Sequence, residues 1–330
     1  MGKKIIWLVV FSVLFSGVGT YLGFHERHVI EIRNANKVVG SVEKQAQKIT
    51  TEIHTAVYRF QFGLRGLLGA IDTTGFDNFT YDKQLAYFNS RNYAVEFPGT
   101  RGFGVIKLVK SSDLDDFLEN AAKDRGSDFK LKQLDSPKDP LFIIQYIEPE
   151  ADNRAAVGLD IGSEANRRIA ALQAAKLGEL QLTGPITLVQ ANEKEKHGFL
   201  LLYPIYKPTS VGSAKDVLGW VYAPLLINEI LDTVSGVNDL FSFQISDTTG
   251  IDDVDFYTSF VQNDLLTQYQ VTRHKEMFGR VWSVTFVPTS RFVDTLALED
   301  AKNTFWQIII GTLSLNVLVI FGTFFIGARL

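Results

Sequence analysis

The side chains able to do chemistry are few and scattered. Five histidines occur, His25, His28, His54, His197 and His274. His25 and His28 share one helical face, but no carboxylate pair stands at the spacing a metal site needs. Asp252, Asp253 and Asp255 form the densest acidic run. It lacks the glycine and distal glutamate of a calcium loop and reads as a surface turn. Gly99, Gly102 and Gly104 do not match a dinucleotide fingerprint, and no strand-to-helix junction follows them closely. Glu148 and Glu150 flank Pro149 with nothing to pair them as acid and base. No catalytic group, metal or cofactor is therefore expected. What the chain offers instead is recognition. With 25 Phe and 11 Tyr, alternation along residues 101–109, 142–147 and 199–206 sends aromatic and aliphatic side chains to both faces of a sheet, and one face can wall an apolar cleft. Phe103 and Leu201 are expected on that wall, with Tyr146, Asn153 and Thr183 at the mouth and Glu148 beside them.

Those residues need a frame. The chain has 330 residues, 46% of them hydrophobic, enough for one large or two modest globular units. A formal charge of -4 gives no basic footprint for nucleic acid. Cysteine is absent, so disulfides and thiolate metal sites are excluded. Residues 5–24 carry no charge and hold about a dozen Ile, Val, Leu and Phe, which favours insertion by several kcal/mol. About 20 residues at ~1.5 Å each cross a ~30 Å hydrocarbon core. Lys3, Lys4 and Gly17-Val18-Gly19 also suit a cleaved signal peptide, but the apolar run continues to Phe24, so a membrane span is expected. Residues 305–328 form a second uncharged run, in which Asn316 reads as a tolerated polar residue rather than an interhelical bond. Lys3 and Lys4 place the N-terminus in the cytoplasm by the positive-inside rule. The intervening domain then faces outward from the inner membrane, and a cytoplasmic output domain is expected beyond residue 330.

Between the spans, apolar residues at Val38, Val42, Ala46, Ile49, Ile53, Val57, Phe60, Leu64, Leu67 and Ile71 step by three and four, the stripe of one long amphipathic helix. Over ~45 residues it reaches roughly 70 Å. It is expected to act as a stalk and to pair with a second copy as a homodimer. Helices at 81–91, 112–123 and 164–176 follow, the last capped by Ser163 and closed by Gly178. Strands are expected at 101–109, 129–133, 142–147, 155–159, 186–190, 199–206 and 218–224, then a short helix at 228–235. A second small sheet is expected from 241–247, 256–260, 268–274 and 280–288, and residues 290–303 read as helix leading into the second span. Polar loops occupy 191–197 and 207–216. Asp160 is expected to pin its loop through Arg167 and Arg168. The fold class is α+β with mostly antiparallel sheets. The expected domains are a membrane helix at 1–24, a stalk at 25–75, a distal subdomain at 76–225, a membrane-proximal one at 226–303 and a membrane helix at 304–330.

The ordered set Phe97-Pro98-Gly99-Thr100-Arg101-Gly102-Phe103-Gly104, Tyr146-Ile147-Glu148-Pro149, Asn153, Gly158-Leu159-Asp160, Ser163, Arg167-Arg168, Thr183-Gly184-Pro185 and residues 198–206 resembles the CHASE domain. This is the extracytoplasmic sensory module of many membrane histidine kinases and nucleotide cyclases. The resemblance implies two PAS-like subdomains behind the stalk helix, a small-molecule pocket in the distal one, and a homodimer. Thr183 matches a pocket threonine of the cytokinin-binding members; their adenine-contacting aspartate falls at Ala151, beside Asp152, so cytokinin itself is not implied. The function expected is a receptor for a small molecule that drives an output such as a diguanylate cyclase or histidine kinase. An interaction module that docks another envelope protein is the rival, and a hydrolase would need a strongly perturbed acid or base. The receptor reading requires a hollow beside Thr183.

Overall fold

The structure, a computed structural model, describes residues 2–125, 129–189, 197–208, 216–234, 240–259 and 264–327. Gly126, residues 191–196 and 209–215 of the two expected loops, Ser235 and Phe260 lie outside the described residues.

The apolar stripe folds as expected. It runs along α1 (Gly2–Tyr58) and α2 (Phe60–Thr74), and all ten of its residues are buried. The interruption between the two helices is slight. Arg59 keeps helical dihedrals, φ -55° and ψ -38°, and its N–H still donates to Thr55 O at 3.1 Å. Next come α3 (Tyr81–Asn89), α4 (Tyr93–Glu96), β1 (Phe103–Val109), α5 (Leu114–Arg125), β2 (Lys132–Gln133), β3 (Leu141–Glu148), α6 (Glu150–Asn153), β4 (Leu159–Asp160), α7 (Ala165–Leu177), β5 (Gln181–Leu182), β6 (Gly198–Tyr206), β7 (Val217–Leu226) and α8 (Ile227–Leu231). Then follow β8 (Phe241–Asp247), β9 (Val254–Thr258), β10 (Val271–Met277), β11 (Arg280–Pro288), α9 (Ser290–Asp294) and α10 (Ala301–Gly327).

Seven strands pair in the order β2-β4-β3-β1-β7-β6-β5, and four in the order β10-β11-β8-β9. The pairings around the centre of the large sheet, β3–β1, β1–β7 and β7–β6, are antiparallel. The fold is thus α+β with a long N-terminal helix and antiparallel sheets. Strand alternation divides the large sheet cleanly. Phe103, Val105, Tyr146, Leu201 and Val221 share a cluster with Phe60, Leu64 and Leu67 of the long helix. Ile106, Phe142, Ile144, Leu200, Trp220 and Tyr222 face Phe117 of α5 and Ala170, Ala171 and Ala174 of α7. The small sheet joins the first cluster through Phe243, Trp282 and Phe286. The Phe199 ring lies 5.0 Å from Phe256 and 5.1 Å from Trp282. Both sheets therefore belong to one compact unit, Gln45–Gln262 with Gln270–Val287.

Four local expectations are corrected. Residues 155–159 are mostly turn, because Gly158 sits at φ +79° with the position of a Cβ only 2.0 Å from Lys130 O. Glu164, not Ser163, caps α7: its carboxylate accepts from Asn166 N at 2.8 Å and Arg167 N at 3.1 Å. Ser163 instead donates to Asp160 O at 2.6 Å and accepts from Leu134 N at 3.0 Å. Of the strand expected at 186–190, the described part makes only the isolated bridge Ile186–Gly198. The helix expected at 290–303 stops after α9, and Ala297 takes a left-handed φ of 45° before α10 begins.

The second compact unit holds Met1–Lys44, Asn263–Tyr269 and Pro288–Leu330. Among the described residues, two helical segments, Ile5–Thr74 and Ala301–Phe325, are long and apolar enough to cross a membrane, with mean hydropathy 2.1 and 2.2 over their most apolar stretches. Their exposed side chains, such as Trp7 and Phe324, suit lipid rather than water. Asn316 corrects the sequence reading: it is buried between the helices. Its Oδ1 accepts from Ser12 Oγ at 2.9 Å, and its Nδ2 donates to Ser12 O at 3.0 Å and to Ser16 Oγ at 2.8 Å. Arg33 pairs with Glu299 at 2.9 Å where the same two helical stretches leave the apolar zone.

Candidate functional site

The long helix takes the sheet face on which the cleft was expected. Phe103 and Leu201 are fully buried in that contact. Gly63 of α2 is packed so tightly on Phe103 that a Cβ there would lie 2.4 Å from its ring. Asn153 is buried, and its Nδ2 donates to Arg101 O at 2.7 Å and Pro149 O at 2.8 Å, tying two loops together. Glu148 is buried with Oε2 accepting from Glu150 N at 2.9 Å, while Oε1 has no hydrogen-bond partner among the described residues. Asp152 is exposed. Asp160 holds its loop through backbone donors rather than arginines: Oδ1 accepts from Phe142 N and Gly162 N, each at 2.9 Å. Arg168 donates instead to Pro140 O at 3.0 Å and Asp139 O at 3.1 Å, its guanidinium 4.6 Å from the centre of the Phe142 ring.

Thr183 is fully buried, and its hydroxyl accepts from Leu200 N at 3.0 Å while its own N–H donates to Leu200 O at 3.0 Å. Leu200 lines a small hollow on the α7 side of the sheet. Ile144 and Tyr222 complete its floor, Ala156, Leu159 and Ile161 one side, and Arg167 with Leu188 the other. The backbone explains the floor. Tyr222 pairs with Gly104 and Leu202, and a Cβ on Gly104 would meet Tyr222 Cε1 at 2.5 Å, so glycine is needed for the ring to lie over β1. The hollow measures about 10 Å³, room for about one water. The residues of its lining with polar side chains are Tyr222 and Arg167. The guanidinium donates to Thr187 O at 2.8 Å and to Glu164 at 3.1 Å, and burial lowers its pKa against the opposing pull of Glu164. The Tyr222 hydroxyl is fully buried and has no hydrogen-bond partner among the described residues, and burial raises its pKa well above the ordinary value.

Two larger clefts open elsewhere in the same compact unit. One, of about 500 Å³, contains Tyr146. The Tyr146 hydroxyl donates to Asp124 and accepts from Gln145 Nε2 at 2.8 Å; burial first, then Asp124, pushes its pKa up. Four strand spacings, about 19 Å, separate the strand of Tyr146 from β5 beside Thr183, so the structure does not bring these two expected site residues together. The other cleft, of about 580 Å³, is lined by Tyr58, Arg65, Gln181 and Arg280 around the β10–β11 turn. That turn uses left-handed backbone at Phe278, φ 48°, and Gly279, φ 81°. Phe278 O accepts from Leu182 N at 3.0 Å. Its ring stacks on Tyr58, the last residue of α1, at 4.2 Å, and Tyr58 stacks on His54 at 3.9 Å.

The family model for the CHASE domain matches residues 77–257, more than half of the chain, including the large sheet and its hollow. The chain belongs to the CHASE family. It is accordingly the extracytoplasmic sensory region of a membrane signalling receptor. Among solved structures, the periplasmic sensory domain of the Campylobacter jejuni chemoreceptor Tlp1 is similar at 12% identity, with a TM-score of 0.40, over 82% of this chain and 96% of that one. No curated protein matches this CHASE chain. Of the residues that build the hollow, Gly104 and Leu200 sit one position away from the expected Phe103 and Leu201, while Tyr222 has no expected residue beside it. Assigning Phe103 to the stripe of the long helix first would have moved the hollow to the opposite face.

Proposed function

We propose that this CHASE domain binds a small molecule at the hollow beneath α7 and transmits occupancy to the stalk, and through the second membrane helix to a cytoplasmic output such as a diguanylate cyclase or histidine kinase, from the inner membrane. The observation that carries the reading is the fully buried Tyr222 hydroxyl, without a hydrogen-bond partner among the described residues, on a residue that lines a largely apolar hollow. Leaving such a group unmet costs about 1–3 kcal/mol, and a ligand that meets it recovers that cost. Because the hollow is small, binding requires the segments around Ala156–Ile161 and Thr187–Leu188 to move apart. Occupancy then acts on Leu200, on Thr183 through their paired hydrogen bonds, and on Leu182, whose N–H reaches the Phe278 turn stacked on the stalk. Thr183 thus works through Leu200. Ligand at about 100 times its Kd supplies ~2.7 kcal/mol of bias, enough to tip a two-state element near balance though below the ~5.5 kcal/mol of a complete reversal. The test is a thermal-shift screen of a small-molecule panel on the full chain in nanodiscs. A hit whose shift disappears in Leu200→Trp, which fills the hollow, supports the reading; a shift unchanged in that variant removes it.

A second reading has its own observation. Ile169 and Leu172 of α7 are 61% and 48% exposed on the outer surface, as a docking face for another envelope protein would require. Loss of signalling in Ile169→Lys with ligand shifts intact would favour that interaction module.

A further inference from the structure

The cleft at Tyr146 belongs to neither the hollow nor its route to the stalk. It is built from the chain that follows the end of α2, from β1 and β3, and from α5 with the turn before it. Its walls are aromatic, Phe76, Phe79, Phe117 and Tyr146, over the aliphatic floor of Val105. The charged groups in its lining are Asp77, Asp113 and Asp124 against Lys107, an excess of acid. Asp124 is engaged, accepting from Tyr146 and from Tyr81 N at 3.1 Å. Asp77 and Asp113 are exposed at the rim. The Lys107 ammonium lies 5.2 Å from the centre of the Phe76 ring, so the aromatic wall already receives an alkylammonium, the protein's own. Aromatic faces attract cations through the ring quadrupole, and about 500 Å³ accommodates a small molecule with an apolar body.

We propose that this cleft is a second binding site, selective for organic amines whose ammonium sits between the aromatic wall and the rim aspartates while the apolar body fills the floor. A ligand here competes with Lys107 for the Phe76 face and clamps the segment beyond the stalk helix onto the sheet.

Calorimetry on the full chain in nanodiscs, with 2-phenylethylammonium as probe and 3-phenylpropionate as its anionic counterpart, tests this. The amine binds and the carboxylate does not; Asp77→Asn and Asp113→Asn each weaken the amine about two- to fivefold, the range of an exposed charge pair, and Lys107→Met tightens it. Tyr222→Phe leaves amine binding unchanged, which separates this site from the hollow. Failure of the folded wild type to bind the amine overturns the proposal. So does carboxylate binding that Lys107→Met abolishes, which would make the cleft an anion site, or amine binding insensitive to both aspartate variants.

Discussion

Replacing Tyr222 by phenylalanine removes one oxygen from a position where nothing bonds to it. The ring keeps its place over Gly104 and against Ile144 and Leu200, so no large cavity is created. The hydroxyl's desolvation, about 1–3 kcal/mol for an unmet buried group, is recovered in the folded state. Stability should rise by about that amount. For a compact unit of this size, each kcal/mol moves the melting temperature by about 2–4 °C, so an increase of about 2–12 °C is expected. Circular dichroism melts of wild type and Tyr222→Phe in nanodiscs read this directly, and Tyr222→Ala, which should cost about 3–5 kcal/mol, confirms that the side chain reports on the core. The same substitution should abolish a polar contact to any ligand in the hollow, so a more stable protein should bind less well. A fall in melting temperature for Tyr222→Phe would refute the reasoning, because it would mean that the hydroxyl is satisfied in the folded protein and exerts no pull on a ligand.

Further outcomes follow from other contacts. Tyr58→Ala and Phe278→Ala should be coupled by about 0.5–1.5 kcal/mol in a double-mutant cycle, the range of an aromatic pair; additive effects would remove the β10–β11 turn from the route to the stalk. Asn316→Leu should loosen the paired membrane helices by about 0.6 kcal/mol and no more than about 1.7, measured as a lower cross-linking yield between cysteines placed at Gly19 and Thr312, which touch; an unchanged yield would return Asn316 to the role of a tolerated polar residue. His54 has its pKa lowered by burial and then by Lys275. The unfolded chain therefore binds more protons there, and the stability due to neutral His54 is present above its ordinary value of 6.5 and is lost as pH falls through the lowered one. Wild-type stability should rise with pH up to about that ordinary value, and His54→Gln should flatten that slope; an identical slope in the variant would contradict the assignment.

The long helix was legible because its ten apolar positions keep a strict three-and-four step and meet no proline, and every one of them is buried. The membrane segments were legible for the same reason of composition. The long strands of both sheets were legible within a few residues, since β-branched and aromatic runs bounded by turns leave few alternatives, whereas the two-residue β5 at the edge of the large sheet was not. Which face of the large sheet the long helix covers was not legible. Alternation names two sets of residues one position apart and does not say which is covered; Phe103 and Leu201 went to the stalk, and Leu200 with Tyr222 to the hollow. Capping of α7 was misjudged because Ser163 and Glu164 are adjacent and both able to cap, and the closer fit of the Glu164 carboxylate to two N–H groups decided it. Asn316 was misjudged because its partners, Ser12 and Ser16, lie some 300 positions away.

Hydrogen–deuterium exchange on the full chain in nanodiscs, with and without a hit from the small-molecule screen, tests the central claim most directly. Sensing at the hollow predicts slowed exchange in β4 and β6 together with a change at the β10–β11 turn and the adjoining end of α1. Protection that leaves β4 and β6 untouched would contradict it.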